Sequence, residues 1–110
     1  MSASDHLNGY QFTLDHDSKE VTAHHDGRAV GSLDWISTSE GPKISSVAVS
    51  PGHRRQGVAS AMYARASEHA GQPLRHAVHR TDEGDAWAQS VGGELPPRKQ
   101  AELWHGPYTP

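Results

Sequence analysis

The chemistry in this 110-residue sequence concentrates in the run Arg54-Arg55-Gln56-Gly57-Val58-Ala59. It lies between a strand-like segment broken at Ser50-Pro51-Gly52 and a long Ala-rich segment suited to a helix. The first amides of a helix have no partner within it and carry partial positive charge. Small residues at Gly57 and Ala59 would let a phosphate come close to those donors, and Arg54 and Arg55 add formal charge beside them. Two well-known phosphate loops do not fit. The dinucleotide fingerprint needs a second and a third glycine, and the P-loop needs Gly-Lys followed by Ser or Thr; neither is present.

Groups that could carry protons are scattered. His79 lies near the end of the segment PLRHAVHR, and histidine has a native pKa in the range a general base requires. Asp34 and Trp35 are adjacent in a strand-like segment and face opposite ways, so one of them could meet a ligand, although Trp35 reads as core. Tyr63, in mid-helix, reads as packing. Nine histidines would move the formal charge from -3 to +6 if all were protonated, so behaviour near pH 6 should differ from that at pH 7. His24 and His25 are adjacent, and His76 and His79 three apart, in extended segments. Each pair faces apart and reads as solvated surface histidines rather than as a shared metal site.

The elements that must position these groups are legible from their patterning. Tyr10 to Asp15 alternates Tyr, Phe and Leu with Gln, Thr and Asp, the period of a half-buried strand. EVTAHH (20–25) and RAVGSLDWIS (28–37) flank Asp26-Gly27, a dipeptide suited to a tight hairpin. After the breaker TSEGP, a fourth strand is expected over Lys43 to Val49. The stretch from Gly57 to Gly71 is predicted to be the main helix, closed by a glycine suited to a left-handed cap. PLRHAVHR (73–80) follows as a short fifth strand. Thr81 with Asp82 and Glu83 then starts a second helix that runs to about Val91 and is ended by Gly92-Gly93. The tail from residue 96 to 110 fits either a short helix or an edge strand, and residues 1–8 are expected to be flexible.

Composition bounds the rest. The length suits one domain over residues 1–110. Leu, Ile, Val and Phe number only 16, a thin core that thirteen alanines partly offset and that favours a partner, with a homodimer the expectation. The absence of cysteine excludes disulfides, thiolate zinc sites and a cysteine nucleophile. A net charge of -3 argues against nucleic acid as a partner. No apolar stretch reaches the length of a membrane span, and the start MSASDHLNG has no export pattern, so a cytoplasmic location and no membrane partner are expected.

In these surroundings the run VAVSPGHRRQGVASAMYARA resembles the pyrophosphate-binding motif of the GNAT superfamily of acyl-CoA-dependent N-acyltransferases, R/Q-x-x-G-x-G/A. The resemblance extends over roughly residues 9 to 95. It implies an α+β fold, a central, mostly antiparallel sheet of about five strands with two main helices. It also implies acetyl-CoA as acyl donor, with no metal, and an amine of a small molecule, peptide or protein as acceptor. The cofactor would lie against Arg54, Arg55, Gln56, Gly57, Val58, Ala59 and Ser60, and its pantetheine arm would pair with exposed backbone at Val47, Ala48 and Val49. Departures from the family pattern are equally plain. Only His16 to Lys19 separate the first two strands, where members carry two helices, so the acceptor side should be open. The usual glutamate base falls on Lys43, Ser45 or Ser46, and the usual tyrosine acid falls on Ala88. His79 then becomes the candidate base and Ser90 the candidate acid. A non-catalytic acyl-CoA-binding or protein-interaction module is the alternative that these departures motivate.

Overall fold

The computed structural model describes residues 9–15, 17–77, 79–93, 95–96, 99–100 and 108–110. Strand β1 (Tyr10–Asp15) runs antiparallel to β2 (Glu20–His25), with Phe12 opposite Ala23 and Leu14 opposite Val21. The turn between them is short because the Asp15 carboxylate accepts from the amides of Asp17 and Ser18 at 3.0 and 3.2 Å. Asp26 and Gly27 both take left-handed backbone (φ 51° and 78°), as a tight hairpin requires, and lead into β3 (Arg28–Thr38).

Strand β4 (Gly41–Val49) starts two residues before the expected Lys43. The hairpin there closes over Ser39 and Glu40 alone, since the Thr38 hydroxyl donates to the Gly41 carbonyl at 2.6 Å and accepts from the Glu40 amide. Pro42 is second in the strand, where a missing amide donor is tolerated. Alternation along the four strands places Val21, Leu33, Trp35, Ile44, Val47 and Val49 on one face, buried beneath a helix. That helix, α1 (Val58–Ala70), sets Val58, Ala59, Met62, Tyr63 and Ala66 against the sheet at three- and four-residue spacing. Each large side chain buried there contributes about 1.5–3 kcal/mol.

The fifth strand of the sheet is not the expected 73–80 segment. The sheet order is β1-β2-β3-β4-β7, with β7 (Tyr108–Thr109) parallel to β4. Among the described residues the 73–80 segment bonds to β4 only near its start, where the Ile44 amide donates to the Arg75 carbonyl and the Arg75 amide to the Pro42 carbonyl, both at 2.9 Å. It then diverges, and its end, β5 (His79–Arg80), pairs with β6 (Lys99–Gln100). The tail, left open between helix and strand, is therefore strand at both of these places.

Helix α2 (Asp82–Val91) begins where expected, its Thr81 hydroxyl accepting from the Gly84 amide at 3.0 Å. Buried Arg80 ties it down, pairing with Asp85 at 3.0 Å and donating to the carbonyls of Ala77 and Pro96. After α2 the chain passes so close to α1 that a Cβ at Gly93 would overlap the Tyr63 hydroxyl and stand 2.7 Å from the Leu74 carbonyl. Only glycine fits.

His76 corrects the reading of that histidine as a solvated surface group. It is fully buried, stacked on Tyr63 at 5.3 Å and edge-on to Trp87 at 5.5 Å, with its Nε2–H donating to the Gly92 carbonyl at 2.7 Å. Its pKa is pushed below the usual histidine range, chiefly by burial, with the nearby Arg80 charge acting in the same direction and the Gly92 bond opposing them. Because the folded pKa lies below the unfolded value, the stability it confers is complete above about pH 6.5 and is lost as pH falls through the folded value. We expect thermal stability between pH 7.5 and 5 to carry a His76-dependent slope of up to about 1.4 kcal/mol per pH unit on the acid side. Melting curves of His76→Gln should start lower and fall less steeply toward acid; equal slopes for the two proteins would refute the assignment.

Candidate functional site

The site grows from the turn that carries β4 into α1. Beyond Val49 the Ser50 amide donates to the Val30 carbonyl at 2.7 Å, and Pro51–His53 form one turn of 3-10 helix. Arg55 then takes left-handed backbone (φ 61°), a conformation that costs a side-chain-bearing residue roughly 1–2 kcal/mol, and Gly57 takes it again (φ 84°) at the helix N-cap. The Gly57 carbonyl accepts the first helical bond, from Ala61 at 3.0 Å, and among the described residues no side chain caps this end of α1. The amides of Val58, Ala59 and Ser60 therefore face outward as donors.

Long-range bonds brace this turn. The Tyr10 hydroxyl donates to Gln56 Oε1 at 3.2 Å and lies 2.7 Å from His53 Nδ1, so a proton on Nδ1 completes the chain from His53 through Tyr10 to Gln56. Gln56 Nε2 in turn donates to the Gly52 carbonyl. The Tyr10 ring packs against those of His25 and His53, at 4.9 and 5.6 Å. Arg54 folds back, its Nε donating to the Val49 carbonyl at 2.8 Å, which sets its guanidinium at the end of β4.

In front of the turn lies a cleft of about 390 Å³. One side is formed by Arg54, Arg55 and the first turn of α1, the other by Glu83, Ala86 and Trp87 of α2, and Pro110 also borders it. Trp87 Nε1 donates to the Ser60 hydroxyl at 3.1 Å and so fixes the width of the opening. This wall was not read from the sequence, although residues 83, 86 and 87 share one helical face at three- and four-residue spacing.

The structure brings together most of the expected cofactor residues. Val49, Arg54, Arg55, Gly57, Val58, Ala59 and Ser60 all border the cleft, while Gln56 serves as a brace. Val47 and Ala48 lie deeper along β4, in register with Tyr108 and Thr109 of β7. His79 lies in β5, in register with Lys99. Ser90 is exposed on α2, its hydroxyl donating to the Trp87 carbonyl at 2.7 Å, and is not among the residues bordering the cleft. Ala88, at the expected tyrosine position, is buried core.

The opposite face of the sheet is polar. Glu20, Asp34 and Ser46 stand in one row across β2, β3 and β4, and the Ser46 hydroxyl donates to Asp34 Oδ2 at 2.8 Å. Hydrogen bonding to Asp34, then burial, then the charges of Asp34 and Asp15 raise the Glu20 pKa above the usual carboxylate range. Among the described residues no group of three His, Cys, Asp or Glu side chains is arranged to hold a metal ion, and no helix is long and apolar enough to cross a membrane.

Known proteins place this geometry. The model of the acetyltransferase (GNAT) family matches residues 2–89. An aminoglycoside acetyltransferase from an uncultured soil metagenomic sample, solved in complex with sisomicin, superposes with a TM-score of 0.50 at 19% identity over 76% of this chain. The likeness is one of fold, and this chain covers 64% of the length of that one. No curated protein matches the sequence.

A carboxyl group whose folded pKa is raised contributes most to stability below its unfolded pKa, and that contribution is lost as pH rises through the folded value. Glu20→Gln should therefore raise the melting temperature at pH 7.5 by about 2–4 °C, the size expected for relief of an exposed like-charge contact, and leave it unchanged near pH 4. A lower melting temperature at pH 7.5 would mean that the row is held together by Glu20 rather than strained by it.

Proposed function

The chain belongs to the acetyltransferase (GNAT) family, and from that membership we propose that it transfers an acetyl group from acetyl-CoA to a primary amine. One observation carries the donor half of this reading: the uncapped start of α1 opens, beside Arg54 and Arg55, into a cleft of suitable size for the diphosphate of coenzyme A. The fit is chemical as well as steric. The first amides of α1, its dipole, two arginines and Trp87 all border the cleft in which we place the diphosphate, and together they suit a doubly charged group. From that anchor the thioester arm would follow β4 inward from Val49 toward Val47.

The reaction needs a neutral amine. Its nitrogen attacks the thioester carbonyl, forming the C–N bond; the C–S bond breaks, one amine proton passes to a base, and the departing sulfur takes up a proton. Backbone amides along the arm can polarise the carbonyl as negative charge develops on its oxygen. His79, in the segment that diverges from β4, is the base we propose. Ser90 is assigned no step, because its hydroxyl is already committed to the Trp87 carbonyl on an exposed helix face. The acceptor would approach from the face that carries Glu20, Asp34 and Ser46, whose acidic character suits a cationic amine.

A second reading, a module that binds acyl-CoA without transferring the acyl group, is favoured by one specific feature: buried Ala88 stands where the family's tyrosine acid would be. Incubation with acetyl-CoA and a panel of primary amines that includes aminoglycosides separates the two. Free thiol should appear with at least one amine, and CoA binding with no thiol release across the panel would favour the module.

Two substitutions test the assignments. Gly57→Glu places a side chain on left-handed backbone and a negative charge at the anion seat, and should weaken CoA binding at least tenfold by calorimetry while the circular dichroism spectrum is kept. Undiminished affinity in the folded variant would remove the site. His79→Ala should lower turnover at saturating acetyl-CoA by about 100-fold without changing CoA affinity, and unaltered turnover would return the base role to another group.

A further inference from the structure

The splay between β4 and the 73–80 segment is filled by the chain itself. The two part company just after Arg75, and into the widening gap the structure inserts β7, with Tyr108 in register with Val47 and Thr109 with Ala48. Pro110 then borders the cleft next to Val49 and Arg54. We propose that residues 108–110 form an internal strap that occupies the backbone edge of β4 reserved for the acyl donor's arm, so that binding of acyl-CoA requires this strap to be displaced. The inference rests on the acyl-CoA reading given above and adds a form of regulation to it.

The strap is built to be weak. Its sequence, Pro107-Tyr108-Thr109-Pro110, sets a proline on either side of the paired residues. Proline has no amide to donate and is tolerated mainly at strand edges and ends, so the flanking prolines disfavour a longer ladder. Backbone hydrogen bonds contribute only about 0.5–1.5 kcal/mol each to a folded structure, and a two-residue ladder provides few of them. Such a strand keeps the β4 edge from standing open to other chains, yet can yield to a ligand that adds phosphate contacts at the helix mouth. Its paired residues compete with the arm, while Pro110 only borders the anion cleft. The anion seat at Gly57 to Ser60 is formed by other residues, so the diphosphate end could bind while the strap is still in place.

That separation defines the experiment. In the full chain, Thr109→Pro removes an amide from the ladder and disfavours pairing with Ala48. Calorimetry should then show CoA bound at least tenfold more tightly than by the unaltered protein, whereas adenosine 3′,5′-bisphosphate, which lacks the pantetheine arm, should bind both proteins equally. CoA affinity that is equal or weaker in the folded variant, or a parallel change for the bisphosphate, would overturn the strap. A second measurement avoids substitution altogether: on saturating the unaltered protein with CoA, the Thr109 amide should lose protection from hydrogen exchange, and unchanged or increased protection would contradict displacement. Failure of every form to bind either ligand would instead defeat the acyl-CoA reading, and the strap with it. Normal CoA binding that is indifferent to Thr109→Pro defeats the strap alone.

Discussion

The structure depends on a helix start that no side chain among the described residues caps. Most helices meet their first amides with a capping side chain, but α1 begins at a left-handed glycine with none, next to an arginine that is itself held in the left-handed region. Such backbone persists only where its surroundings enforce it. Here the enforcement comes from a distance: Tyr10 on the first strand reaches His53 and Gln56, Arg54 bonds back to Val49, and Trp87 of α2 bonds to Ser60. Strand β1, the end of β4 and α2 converge on one turn, and the donors in that turn are the ones we propose for the ligand.

A core this thin works because its residues are placed economically. Alanines on α1 allow the helix to sit close to the sheet, and the aromatic cluster of Tyr63, His76 and Trp87 ties the 73–80 segment to both helices. The same cluster couples core to cleft, since Trp87 packs against His76 on one side and borders the opening on the other. Brevity of the β1–β2 turn has a matching consequence on the far face, where Glu20, Asp34 and Ser46 remain partly open to solvent.

What was legible in the sequence was local. The Asp26-Gly27 hairpin, the glycines that bound α1, and Thr81 as a cap all act over a few residues, and each stands as read. The turn we propose as an anion seat could be singled out for the same reason, because a helix start and its neighbouring arginines are contiguous in the chain. Partners far apart in sequence were not. Alternation in PLRHAVHR gave His76 a face but could not say that Tyr63 and Trp87 would enclose it, and nothing in that segment announces that it leaves β4 after one contact. The row of Glu20, Asp34 and Ser46 depends on register shifts between Ala23 and His24 and between Asp34 and Trp35, which periodicity alone does not reveal. The pairing of Tyr108 with Val47 spans most of the chain, and a proline-flanked pair of residues carries little signal of its own.

The central claim is that the amides of the first turn of α1 receive the diphosphate of coenzyme A. An amide-resolved NMR titration of the unaltered protein with CoA tests it most directly. The largest shifts should fall on Gly57, Val58, Ala59 and Ser60, saturating together with those of the Trp87 indole. Shifts that saturate elsewhere while these four amides stay in place would contradict the account.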